Sequence, residues 1–126
     1  MPRYDSVQFD PPAPIAEVTL RNPRSGESIA GARLLLDTGA DVTLLPHSVV
    51  ARLSLVPDLD QHFELAGFDG YRTFADSVVL DMTFLAKTFR GRYLLGNEES
   101  DILGRDVLNY FLMVFDGPTS AWREGV

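Results

Sequence analysis

The sequence contains no cysteine. That excludes disulfides, thiolate nucleophiles and Cys-ligated zinc, though it leaves the compartment open. It holds a single lysine, Lys87; the other basic residues are arginines, and the formal net charge is −7. An acidic chain repels a phosphate backbone, and there is no basic run, zinc-finger spacing or RNP-like motif. No nucleic-acid partner is expected. Long apolar runs are missing as well: none approaches the roughly 18 residues of a membrane span. The opening stretch "MPRYDSVQFDPPAP" lacks the apolar core of a signal peptide. No membrane partner is expected, and the expected location is cytoplasmic. Internal repeats and low-complexity segments are also absent.

What is present is an ordinary globular composition. Hydrophobic residues make up 45% of the 126 and charged residues 23%, too apolar for a disordered chain. The length fits one domain with a real core. Residues 4–9 allow a short strand, and "DPPAP" (10–14) then interrupts regular structure. Residues 1–14 therefore read as an N-terminal arm or linker. In "IAEVTLRN" (15–22), Ala16, Val18 and Leu20 alternate with Glu17, Thr19 and Arg21, the pattern of a half-buried strand. "PRSGES" (23–28) is turn chemistry. "IAGARLLLD" (29–37) is a strand whose end is apolar on both faces. Residues 45–55 allow a short helix with Pro46 at its first position.

Further on, "QHFELAGF" and "YRTFADSVVLDMTF" flank the tetrad "FDGY" (68–71), and Asp-Gly between apolar runs signals a hairpin. Val78, Leu80, Met82 and Phe84 share one face of its second arm. Residues 88–95 read as another strand, 96–100 as a solvated turn, 102–111 as helical in spacing, and 112–118 as a strand ending at Gly-Pro. Many short strands with one or two short helices make a mainly β domain over 15–117, followed by a C-terminal tail, 118–126.

The chemistry is concentrated in "LLLDTGADVTLLP" (34–46). Leu34, Leu35 and Leu36 carry Asp37 to the end of an apolar run. A lone ionised carboxylate there is costly, so it must be paired or exchange a proton near working pH, the profile of a general acid/base. Thr38 offers a hydroxyl, and Gly39 lets a ligand or another backbone come close. Taken alone, Asp-x-Gly is also common turn chemistry.

The stretch as a whole resembles the active-site motif of the retropepsin-like aspartic proteases: aliphatic residues, Asp-Thr/Ser-Gly-Ala, then a short apolar run. "ILGRDVLNYF" (102–111), about 65 residues after Asp37, resembles the family's second motif, an aliphatic pair and Gly-Arg opening a short helix. "FELAGFDGYRTF" between them sits where the family carries its flap. The resemblance implies a small closed β-barrel-like domain with a flap hairpin and one or two short helices, working as a homodimer. There is one Asp-Thr-Gly here, and "FDGP" has Gly117 where Thr or Ser is needed. Two copies would therefore supply the two carboxylates. Asp37 would be catalytic, Thr38 and Gly39 would form the active-site loop and lock the dimer, and Gly39, Ala40 and Asp41 would meet a peptide substrate. Ala66, Gly67 and Phe68 would cover that substrate. Asp41 and Arg105 would form a structural ion pair. Neither metal nor cofactor would be needed. The flap tip departs from the family in having fewer glycines and an added acid, Asp69.

Rival readings are weaker. The haloacid-dehalogenase motif also opens on apolar residues and Asp, but it needs a second Asp where Gly39 stands. A dimeric peptide-binding or assembly module of the same fold that no longer turns over is the alternative from outside enzymology. His47 reads as surface, and His62 with Glu64 lacks a third metal ligand. Arg90 and Arg92 share a strand face, either exposed or able to meet acidic substrate. Trp122 either anchors the tail on a partner or covers the core.

Overall fold

The computed structural model describes residues 2–66, 72–96 and 101–126, with the backbone alone described over 59–66 and 72–74. Its elements in chain order are β1 (Tyr4–Asp5), β2 (Ala13–Arg21), β3 (Ser28–Leu36), β4 (Leu44–Pro46), α1 (His47–Ala51), β5 (Asp58–Ala66), β6 (Arg72–Phe84), β7 (Lys87–Gly96), β8 (Asp101–Leu103), α2 (Arg105–Leu108), β9 (Met113–Asp116) and β10 (Ala121–Glu124). Eight strands form one sheet in the order β1-β2-β3-β8-β4-β7-β6-β5. A further pairing of β2 with β6 joins Thr19 to Thr83, Leu20 to Met82 and Arg21 to Asp81. That pairing closes β2, β3, β8, β4, β7 and β6 into a six-stranded barrel, so the chain is mainly β.

The closure has a local cause. The β2–β3 register shifts between Val18 and Leu20, leaving one extra residue on β3. Gly31 sits there at φ +76°, where a residue without Cβ is unstrained. The resulting bulge bends the pair and frees the end of β2 to reach β6. The alternating residues then do what their pattern requires. Ala16, Val18 and Leu20 of β2, and Val78, Leu80, Met82 and Phe84 of β6, are all buried. Leu34 and Leu36 of β3 join the same core with Leu45, Leu103, Val107 and Leu108.

The structure fills in the two ends of the chain and revises two local expectations. Within the arm, Tyr4 and Asp5 pair with Pro14 and Ala13, and the Asp5 carboxylate accepts from Arg33. The tail is a strand, β10, paired with β9. Its Trp122 is 2% exposed, donates from Nε1 to the Ile15 carbonyl at 3.0 Å and lies 6.0 Å from the Phe84 ring. An indole buries a large apolar area once its N–H finds a partner, so Trp122 covers the core of its own chain. The helical spacing over 102–111 resolves into β8, one turn of α2 and a following turn. Ile102 and Leu103 are drawn into the sheet because β8 fills the place between β3 and β4. Pro46 ends β4 and is the N-cap of α1 rather than its first residue. The hairpin tip expected at 68–71 lies outside the described residues.

Candidate active site

Asp37 stands where β3 stops. Parallel pairing aligns Leu34 with Asp101, Leu35 with Ile102 and Leu36 with Leu103. Asp37 N–H continues that ladder by donating to the Leu103 carbonyl at 3.1 Å. The two chain segments thus leave the sheet side by side, one as Asp37-Thr38-Gly39 and the other as Gly104-Arg105. In this single chain Asp37 is half-buried, not enclosed. The apolar run before it brings its backbone to the core while the side chain turns outward.

The loop is tied at several points. Ala40 N–H donates to the Asp37 carbonyl at 3.2 Å, and Arg105 N–H donates to the Ala40 carbonyl at 2.9 Å. Gly39 N–H donates to Asp37 Oδ1 at 2.9 Å. Asp37 Oδ2 has no hydrogen-bond partner among the described residues. One carboxylate oxygen is therefore fixed by backbone, and the other is left able to take or give a proton. Thr38 and Gly39 are exposed, and Ala40 is half-buried.

Arg105 does not form the expected ion pair with Asp41. Its Nη1 donates to the Thr38 carbonyl at 2.7 Å, while Asp41 is exposed and makes no ion pair among the described residues. The guanidinium is used to hold the Thr38 peptide, for which a charged donor to a carbonyl is well suited. The carboxylate that joins the two motifs is Asp106. Its Oδ2 accepts from Thr43 N–H at 3.1 Å, and its Oδ1 accepts from Thr43 Oγ1 at 2.7 Å. Thr43 Oγ1 in turn accepts from Gly104 N–H at 3.0 Å. Thr43 is 1% exposed, so this clamp is dry on one side.

Gly104 is needed for the fit. A Cβ there would lie 2.5 Å from the Val42 carbonyl oxygen and 3.1 Å from that of Ala40. Sequence reading missed Thr43 and Asp106. The available signal was a lone polar residue, Thr43, between Val42 and the leucine pair of β4, with an acid directly after Gly-Arg.

Of the other expected site residues, Ala66 ends β5 opposite Arg72, and Gly67 and Phe68 lie outside the described residues. His47 is exposed. His62 and Glu64 belong to β5, but their side chains are not among those described. Arg90 binds Asp81 through both Nε, at 2.7 Å, and Nη2, at 3.0 Å. This fork, with Arg21 beyond it, holds the Asp81 carboxyl below its ordinary range. Arg92 donates to Asp58 and Ser77, each at 3.1 Å. A groove of about 640 Å³ runs under the arm between Arg3, Asp5, Gln8, Glu17 and Arg33; none of the site residues lines it. A smaller cavity of about 220 Å³ adjoins the clamp, bordered by Val42, Thr43, Arg92, Leu94 and Asp106.

No family model matches the sequence, and no curated protein matches it. Among solved structures it is similar to EIAV protease in complex with the inhibitor HBY-793. The TM-score is 0.59 and the identity 21%, over 84% of this chain and 91% of that one. At that identity the likeness speaks for the fold. The barrel of this chain therefore has a retropepsin-like fold.

Proposed function

We propose that the protein is an aspartic endopeptidase whose site is completed by two copies of the chain, each contributing Asp37. The observation that carries this reading is Asp37 itself. It is a carboxylate with one oxygen held by Gly39 N–H and the other without a hydrogen-bond partner among the described residues, at the end of an apolar strand in a retropepsin-like fold. EIAV protease, a protein to which this chain is similar, is named a protease and was solved with an inhibitor bound.

Two such carboxylates a few ångströms apart cannot both ionise easily, so they share one proton, as aspartic proteases in general do. As water adds to the scissile carbon, the ionised member takes a proton from it and the protonated member gives its proton to the carbonyl oxygen, so that a tetrahedral diol forms. A carboxyl then gives its proton to the leaving nitrogen, the C–N bond breaks, and a diol hydroxyl returns its proton to the pair, which is again singly protonated. Thr38 bonds across the two copies. Gly39, Ala40 and Asp41 meet an extended peptide by backbone hydrogen bonds, and Ala66, Gly67 and Phe68 close over it.

The test is Asp37→Asn. Cleavage of a broad peptide mixture falls by about 10²–10⁴-fold while circular dichroism and melting stay as in the parent. Retained cleavage removes Asp37 from the mechanism. A parent protein that binds peptides and leaves the mixture intact replaces the peptidase with a binding module of the same fold.

A further inference from the structure

We propose that the cavity beside the clamp is a specificity pocket for a basic side chain of the peptide, Lys or Arg, and that Asp106 is the residue that selects it. The proposal rests on the peptidase reading above and names the substrate class of that site.

The cavity of about 220 Å³ is bordered by Val42, Thr43, Arg92, Leu94 and Asp106. At about 30 Å³ per water it has room for about seven waters, or for one long side chain. Val42 and Leu94 give it an apolar wall, and Asp106 is exposed at its rim. Lys and Arg suit such a wall, because their apolar stems pack on it while the charged head stays at the polar end.

Charge decides the sign of the guest. Two ionised groups border the cavity, and they are not equally available. Arg92 Nη1 donates to Asp58 Oδ2 and Ser77 Oγ, each at 3.1 Å, so its charge already faces a carboxylate. Asp106 accepts from Thr43 N–H at 3.1 Å and from Thr43 Oγ1 at 2.7 Å, and both donors are neutral. Among the described residues no arginine, lysine or histidine pairs with it. Each of its oxygens keeps a lone pair for a further donor. Arg92, Asp58 and Asp106 together leave the rim net negative. Tyr93, between Arg92 and Leu94 in the chain, registers this charge: burial chiefly, then Asp106, pushes its phenol up. The net charge of −7 on the whole chain adds a field of the same sign.

The position of the cavity limits which peptide residues reach it. Val42 directly follows Asp41, the last residue of the loop that meets the peptide on the proposed reading. It stands five residues after Asp37, a reach of at most about 18 Å. An extended peptide advances about 3.3 Å per residue, with alternate side chains on one face. The pocket therefore serves a residue within about five positions of the cleaved bond. Two copies about a two-fold axis carry two such pockets, one on each side of that bond. The preference for Lys or Arg therefore occurs twice, once before and once after the point of cleavage.

The test begins with the full-length parent, which needs no variant to fold. A peptide cleaved from a broad mixture is remade with Lys, Met or Glu at each position in turn, up to about five on either side of the bond. Met matches the stem of Lys without its charge. A hydrogen bond to a charged group is worth at least about tenfold. At one position on each side, kcat/KM for Lys exceeding that for Met by this factor, with Glu below Met, supports the pocket. Glu above Met there, or no preference at any position, overturns it and leaves the peptidase reading standing. Asp106→Asn removes the charge and keeps an oxygen for Thr43. Damage to the clamp lowers both substrates alike and cancels in the Lys-to-Met ratio. A ratio that falls towards one supports the pocket, and the parent's ratio overturns it. Arg92→Gln makes the rim more negative without touching the clamp: a raised ratio supports the pocket, and an unchanged or lowered one overturns it. If the parent cleaves nothing, the peptidase reading falls, and labelled random peptides enriched in Lys or in Met are compared by fluorescence anisotropy. Tighter binding of the Lys pool that Asp106→Asn abolishes supports the pocket as a binding site; equal or absent binding overturns it as well.

Discussion

Replacing Thr43 by Val removes one oxygen from the clamp and almost nothing from its volume. Thr43 Oγ1 donates to Asp106 Oδ1 at 2.7 Å and accepts from Gly104 N–H at 3.0 Å. The two losses are unequal. Asp106 is exposed, so water replaces the hydroxyl there and Thr43 N–H still reaches Oδ2. Gly104 is buried, and its N–H is left without a partner, at a cost of about 1–3 kcal/mol. We expect Thr43→Val to lose about 2 kcal/mol. With a urea slope of about 1–3 kcal/mol per molar for a small domain, the midpoint falls by about 1 M. Trp122 is the one tryptophan in the sequence and is deeply buried, so its fluorescence follows the transition. Measurements are made at one protein concentration, since self-association adds to apparent stability. Thr43→Ser keeps the oxygen and drops a methyl, worth about 0.8 kcal/mol, and should recover more than half of the loss. A Val variant with the parent midpoint, or a Ser variant no better than Val, refutes the clamp.

Two further perturbations follow from neighbouring geometry. Gly104→Ala places a methyl 2.5 Å from the Val42 carbonyl oxygen, and backbone on both sides must move. Because Gly104 has φ −96°, an ordinary value, any effect is steric; we expect a loss of about 1–3 kcal/mol and a larger proportional loss of peptidase activity, measured together on one preparation. Tyr93 is 6% exposed. Burial chiefly, with the charges of Asp106 and Asp81, pushes its phenol up to about 12. Between pH 10 and 12 the unfolded chain has lost this proton while the folded chain keeps it, so stability falls as pH rises, by about 2–3 kcal/mol over the interval. Urea midpoints at pH 9 and 11.5 measure the fall, and Tyr93→Phe should flatten it.

The barrel was legible because its signals are local. Alternation in β2 and β6 needs only the residues themselves, and Asp37 could be singled out because three leucines run into it. What was not legible depends on contacts distant in sequence or on backbone without side-chain signature. The β6–β7 hairpin turns at Leu85 and Ala86, both at positive φ, with none of the Asn-Gly chemistry that marks such turns. Ile102 and Leu103 have helical spacing yet sit in the sheet, because β3 and β4 offer an unfilled slot that a local pattern cannot reveal. The family resemblance paired Arg105 with Asp41 of the first motif. The fold instead brings the Thr38 carbonyl to it and sends Asp106 to Thr43, and no pairing of charges by sequence distance recovers that exchange.

The same contacts bear on how a two-copy site would work. Among the described residues, these ties on the Asp37 loop run within one chain: the Leu103 carbonyl, Arg105 on Thr38, and the Thr43–Asp106–Gly104 clamp. On the proposed reading, association therefore joins two loops that are already shaped and has little ordering cost to meet at the loops themselves. Concentration then sets how many sites exist, and the clamp sets how good each one is. Dilution should lower specific activity and leave KM unchanged, because each surviving pair is the same enzyme. Thr43→Val should lower activity even at concentrations where sedimentation shows full pairing. If dilution instead raises KM while activity at saturating substrate persists, the loops are being shaped by the partner, and the division of labour drawn from these hydrogen bonds is wrong.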